Sequence, residues 1–196
     1  MIAKHHISRI SREDPHGTHP IYANSGGPIQ IRSAQMGEAA AISRVLLANW
    51  NDRGLFQESP ARISRNIGNF LVAESETGCI VGCAGVHLER HSLGRIYSVA
   101  VVPQCQGHGV GRKLIAAAVR SATLLDVERL WLVTSKPSFF SRYGFKPISR
   151  WELPSSVLLR QLRKTLRQPI ARILPALFGR HTFMQRNLRS FPEIAE

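Results

Sequence analysis

The first 28 residues show no apolar period: His5, His6, His16 and His19 are scattered among Pro15, Gly17, Pro20, Gly26 and Gly27. Such a stretch buries too little apolar surface to offset the entropy of ordering it, and a disordered leader is expected. Patterning begins at Ile29-Gln30-Ile31-Arg32, a short alternating strand. Ile42, Val45, Leu46 and Trp50 then recur at helical spacing, and Ser59-Pro60 supplies an N-cap and a first-turn residue for a second helix carrying Ile63 and Ile67. From Phe70 the period shortens to that of a sheet. Phe70–Ala73 and Ile80–Leu88 read as strands joined by a turn at Glu76-Thr77-Gly78, and a third strand runs from about Arg95 to Val102. A glycine-rich stretch leads into a helix from about Val110 to Leu125, with Val110, Leu114, Ala117, Ala118 and Leu125 on one stripe. Leu130–Val133 is a buried type of strand, and a short helix through Phe139 and Phe140 ends at Gly144 as a left-handed cap. A last strand is expected over residues 182–188. The order predicts a mixed α/β domain around one sheet, spanning residues 29–190 with a tail at 191–196.

Charge changes this picture at one place. The 196 residues hold 26 Lys+Arg against 13 Asp+Glu, a net +13. Residues 153–192 alone contain Arg160, Arg163, Lys164, Arg167, Arg172, Arg180, Arg186 and Arg189 with no acid among them. Leu158, Leu162 and Leu166 repeat every four residues beside these cations, so a basic amphipathic helical insertion is expected at about 155–180. Residues 156–180 could cover an acceptor site, or meet an anionic membrane surface or a partner; a packed extra helix with solvated charges is the plainer alternative. No recognition-helix or RNA-binding signature points to sequence-specific nucleic acid.

The three cysteines are an odd number for a disulfide framework, and Cys79 and Cys83, on one strand and without a second pair, make a poor zinc site, so no metal is expected. The first 30 residues lack the apolar core of a secretion signal and no run of about 18 apolar residues occurs, which predicts a cytoplasmic protein.

The chemistry is concentrated in residues 95–115, Arg-Ile-Tyr-Ser-Val-Ala-Val-Val-Pro-Gln-Cys-Gln-Gly-His-Gly-Val-Gly-Arg-Lys-Leu-Ile. A strand enters, glycines turn the chain, and a helix leaves; such a loop presents backbone N–H groups to phosphate oxygens at a helix N-terminus. A dinucleotide fingerprint fails, because its third glycine position is Arg112 counted from Gly107 and Leu114 counted from Gly109. A P-loop fails for want of Gly-Lys-Ser/Thr. What fits is Gln106-x-x-Gly109-x-Gly111 after Val-Ala-Val-x-Pro, followed by Phe140-Ser-Arg-Tyr-Gly-Phe145. Over residues 29–150 the chain resembles the GNAT N-acetyltransferase superfamily, and within it most the amino-acid N-acetyltransferases of the N-acetylglutamate-synthase type.

The resemblance implies a mostly antiparallel central sheet, splayed at an acetyl-CoA site and flanked by helices. It implies transfer of acetyl from acetyl-CoA to a primary amine, with a small amino acid such as glutamate as acceptor. Antibiotics, arsenical amino acid analogues and protein N-termini are the other acceptors to weigh, and a catalytically weak basic interaction module is the non-enzyme reading. Cofactor contacts fall on Val99, Val101, Gln106, Gly107, His108, Gly109, Val110, Gly111, Arg112, Lys113 and Phe140, with splaying near Val99 to Val102 and the Val99 N–H polarising the thioester carbonyl. A Glu on the strand before the loop often removes the amine proton; motif spacing puts Tyr97 there, and a phenol with a pKa near ~10 is a poor base at neutral pH. Glu89 and His87, on one strand face with Gly85, are better proton acceptors by chemistry. The family's usual acid, a Tyr four residues before the Gly, is replaced by Phe140, and Tyr143 is expected to point elsewhere. Arg32, Arg95 and Arg142 are the arginines that could grip an acceptor carboxylate. A homodimer remains open.

Overall fold

The computed structural model describes residues 27–49, 58–89, 92–154 and 181–189. The leader, apart from its last two residues, the basic segment 155–180 and the tail lie outside the described residues, as does Trp50. The strands are β1 (Gln30–Ser33), β2 (Phe70–Glu74), β3 (Ile80–Leu88), β4 (Leu93–Val101), β5 (Arg129–Thr134), β6 (Lys146–Ile148) and β7 (Thr182–Asn187). The helices are α1 (Ala39–Leu47), α2 (Pro60–Arg65), α3 (Val110–Leu124) and α4 (Pro137–Ser141). The seven strands form one sheet in the order β1-β2-β3-β4-β5-β7-β6, antiparallel except for β4 with β5.

Local chemistry accounts for the element ends. Ser59 caps α2, its Oγ accepting from the Arg62 N–H at 3.3 Å, and Pro60 fills the first helical position, where no N–H is needed. Gly144 closes α4 in the left-handed region, φ +77°. β6 was not evident from the pattern: three residues with a central proline carry no period, and Pro147 is tolerated because β6 is an edge strand. The α3 stripe also differs from expectation. Ile115 and Ala122 join Val110, Leu114 and Ala118 inside, whereas Leu125 lies past the helix end and is 55% exposed.

Side-chain alternation divides the interior. One cluster joins β2 and β3 to α1 and to the first half of α3 through Val72, Ala84, Ile42, Val45 and Leu114, with Val72 and Ala84 on opposite faces of the sheet. Ile96, Leu130, Leu132 and Met184 pack against the second half of α3, with Phe140 and Phe145. The opposite face of β4, β5 and β7 buries Leu93, Trp131 and Leu153. No helix among the described residues is long and apolar enough to cross a membrane.

Candidate active site

The site arises where β4 leaves its neighbours. Against β3, Ala100 pairs with Cys83 but Tyr97 pairs with Gly85, so β4 carries one extra residue. The surplus is a bulge at Ser98, whose φ of +51° is unusual for a residue with a side chain. The Cys83 thiol donates to the Ser98 carbonyl at 3.4 Å. Against β5, β4 pairs only at Leu93/Arg129, Gly94/Leu130 and Arg95/Trp131. The strands therefore part from Ile96 onward, earlier than the Val99 to Val102 expected. Ser98 and Val99 have no register partner on either side among the described residues.

Beyond β4 the glycine loop takes the shape its residues allow. Gly107 and Gly109 have φ of +81° and +79°, and a Cβ on Gly107 would meet nothing within 4 Å, so the loop is an open cradle. The Lys113 N–H bonds the Gly109 carbonyl at 3.1 Å, so the amides of Val110, Gly111 and Arg112 precede the first intrahelical bond. Gly111 permits close approach of α4, since a Cβ there would lie 3.3 Å from the Phe139 ring. The Gln106 side chain braces the loop: its amide donates to the Val101 carbonyl at 2.8 Å and to Asn49 Oδ1 at 2.9 Å. Asn49, buried past the end of α1, in turn donates to the Val45 and Val101 carbonyls.

These parts enclose a cavity of about 750 Å³ between the separated strands, reaching Ile96 and Leu132 on one sheet face and Tyr97 and Val133 on the other. Of the residues expected at the site, Tyr97, Val99, Val101, Gln106, Gly107, His108, Gly109, Gly111, Arg112 and Phe140 line it. Val110, His87, Glu89 and Lys113 do not. Val110 is buried in the core, and Lys113 turns its ammonium to the Ile29 carbonyl at 3.4 Å. His87 stands opposite Arg95, farther back along β3. Tyr143, expected to point elsewhere, lines the cavity with its ring 5.3 Å from Phe139. Of the three arginines offered for an acceptor carboxylate, Arg142 lines the cavity and Arg32 and Arg95 do not; Asn49, Ser135 and Lys136 line it too, without a sequence signal beyond their places at the ends of α1 and β5.

No Asp or Glu occurs among the lining residues, whereas His108, Arg112, Lys136 and Arg142 do. Tyr97 is even less often ionised, and so less available as a base, than its type suggests: burial, reinforced by repulsion from Glu58, pushes its phenol up to about 12. Its ring lies across Gly85 and meets Phe70 edge-on at 5.5 Å. Arg32 is held between Glu38 at 2.6 Å and Glu74 at 2.7 Å and does not line the cavity. No cluster of three metal-ligating side chains occurs among the described residues. Unpaired amides, a left-handed glycine cradle and surrounding cations suit a polyanionic diphosphate.

Comparisons with known proteins agree with this geometry. Residues 66–147 match the family model for an acetyltransferase (GNAT) domain. An amino-acid acetyltransferase of Mycobacterium tuberculosis is 30% identical over 120 residues, covering 60% of this chain and 68% of that protein. The chain belongs to the GNAT acetyltransferase family. This GNAT protein is also 28% identical over 127 residues to an N-acetyltransferase of Chlorobaculum tepidum, across 65% of its own length and 81% of the relative's. A Mycobacterium tuberculosis crystal structure in complex with CoA superposes with a TM-score of 0.69 at 25% identity, over 81% of this chain and 99% of that one. The Neisseria gonorrhoeae N-acetylglutamate synthase, complexed with coenzyme A and N-acetyl-glutamate, shares the fold at a TM-score of 0.68 and 24% identity, over 83% of this chain and 35% of that one. The GNAT chain described here is thus an acetyl-CoA-dependent N-acetyltransferase.

Proposed function

We propose that residues 29–190 transfer an acetyl group to the primary amine of an amino acid, with glutamate the favoured acceptor. The carrying observation is the cavity that passes between β4 and β5, with a phosphate cradle at one end and Tyr97 and Val133 on the far sheet face at the other. Relatives named amino-acid acetyltransferases support this choice of acceptor.

Acetyl-CoA supplies an activated acyl group as a thioester. The loop amides from Gly107 to Arg112, with the Arg112 guanidinium, would hold its diphosphate. Val99, which has no register partner in β3 or β5, would offer its backbone N–H where negative charge develops on the carbonyl oxygen. Gln106 and Asn49 position the loop against β4 without needing to touch the substrate. Phe139 and Phe140 keep water from the reacting end. A primary amine is mostly protonated at neutral pH. Glu89 or His87 would accept its proton through intervening water, since neither lines the cavity. Tyr97, neutral throughout the working range, orients groups by donating a hydrogen bond. Tyr143, in the cavity wall near Phe139, would be the nearest phenol able to protonate the departing thiolate.

The test incubates the full chain with acetyl-CoA and a panel of amines: glutamate, other amino acids, an aminoglycoside, an arsenical amino acid analogue and a peptide with a free N-terminus. Thiol release would be followed, with acetylated product identified by mass. Fastest turnover of an amino acid supports the proposal. Preference for the aminoglycoside or the peptide refutes it.

A further inference from the structure

Arg95 occupies an unusual position on β4. It shares a face with Tyr97, stands opposite His87 of β3 and pairs in register with Trp131 of β5. Its guanidinium carbon lies 5.0 Å from the Trp131 ring centroid and 5.7 Å from that of Tyr97. Its Nε is buried without a hydrogen-bond acceptor, and among the described residues no carboxylate reaches ion-pair distance of it. Glu89 and Glu58 attract it only through space, Arg62 repels it, and burial holds its pKa below the usual arginine value.

A half-buried cation whose Nε is fully enclosed without an acceptor carries a desolvation cost that a bound anion would offset. The two rings stabilise the face of the guanidinium but give its Nε–H no acceptor. That edge is a planar fork, matched to the two oxygens of a carboxylate. Arg32 cannot serve, because two glutamates already hold it. Arg142 lies in the cavity wall at the end of α4, next to Tyr143.

Arg95 itself does not line the cavity; Tyr97 intervenes. Arg95 is four residues from Val99, about 13 Å along a strand that rises ~3.3 Å per residue. A carboxylate adjacent to the reacting amine lies only about 2.5 Å from the nitrogen and stays inside the cavity, whereas one at the end of a side chain lies about 5 Å away and, met by an arginine side chain about 6 Å long, spans most of that distance. Resting on the acetyltransferase reading above, we propose that Arg95 determines specificity by gripping the side-chain carboxylate of a dicarboxylic amino acid. Trp131 and Tyr97 hold the guanidinium flat, and the acceptor's far end supplies the missing anion.

The experiment compares kcat/KM for glutamate with that for glutamine, its neutral isostere, using the full chain and acetyl-CoA. Glutamate is expected to lead by about tenfold to a hundredfold, the range of a charge-assisted pair. Arg95→Gln should bring the two within about threefold, and Arg95→Lys, which keeps the charge but loses the fork, should fall between. A rise in Tm on adding CoA reports that each variant is folded. Independently of turnover, N-acetylglutamate should raise the Tm of CoA-bound wild type more than N-acetylglutamine does, and Arg95→Gln should erase the difference. Equal kcat/KM for the two acceptors in wild type, or a glutamate preference that survives Arg95→Gln, overturns the role of Arg95 and leaves the acetyltransferase reading intact. Failure to acetylate any amine while CoA still raises Tm overturns that reading instead, and the comparison of the two N-acetyl compounds then decides Arg95 by itself.

Discussion

A methyl group added at Gly85 should disturb the acceptor end of the site more than any conservative change nearby. Phe70, Gly85 and Tyr97 stand side by side across β2, β3 and β4, and the Tyr97 ring covers the glycine. A Cβ at Gly85 would lie 2.5 Å from Tyr97 Cζ and 2.7 Å from both Cε atoms. Carbon atoms prefer a separation of about 3.5–4.0 Å, so the ring must withdraw by about 1 Å or more. Phe70, itself buried, meets that ring at 5.5 Å and restricts where it can go. Overpacking of this kind costs about 1–3 kcal/mol, while replacing glycine by alanine returns about 0.4–1 kcal/mol by restricting the unfolded chain. The net expectation for Gly85→Ala is a loss of about 1–2 kcal/mol, measured by urea unfolding with linear extrapolation, together with a lower kcat/KM. In a Tyr97→Ala background the obstructing ring is gone, and Gly85→Ala should be neutral or stabilising. A Gly85→Ala protein within about 0.5 kcal/mol of wild type, or an equal cost in both backgrounds, would refute the reasoning, since contacting residues must show such coupling.

Other consequences can be measured directly. Gly109→Ala forces a side chain into the left-handed region at φ +79° and should lose about 1–2 kcal/mol of stability and weaken CoA binding, read by isothermal titration. Asn49→Ala removes the anchor of Gln106 and two bonds to backbone carbonyls, so CoA affinity should fall about tenfold although the side chain is remote from the loop in sequence. In thiol titration of the native protein Cys79 should react first; Cys83 and Cys105 are buried, and burial pushes both thiols up, Cys83 to about 12. Stability should fall as pH rises above ~9, because the unfolded chain releases protons from Cys83 and then Tyr97 that the folded chain retains until about 12. Replacing Cys83 with Ala should flatten the first part of that decline in a pH series of thermal melts.

The extent to which the site was legible follows from the range of the interactions that build it. The period changes place β3 at Ile80–Leu88 and start α3 at Val110, because burial on one face writes itself into neighbouring positions. Glycines marked the cradle and the α4 cap, because left-handed backbone favours that residue. The bulge left no such mark: its positive φ falls on Ser98 and is fixed by register with β3. Asn49 reaches Gln106 across 57 positions, which no local pattern records. The arginines illustrate the same limit. Arg32, Arg95 and Arg142 are equivalent as letters, and only tertiary placement separates one clasped by two glutamates from one flanked by aromatic rings.

Among the described residues, three register pairs, from Leu93/Arg129 to Arg95/Trp131, join β1–β4 to β5, β7 and β6 through the sheet. The long helix α3 lies across the division, with Leu114 on one side and Ile115, Ala118 and Ala122 on the other. The protein is thus two half-sheets on a common spine. Because opposite walls of the cleft belong to different halves, its width is a mechanical coordinate of the molecule. A small rotation of one half about the three-residue seam would loosen both substrates at once, so the seam that admits them can also set the pace at which products leave.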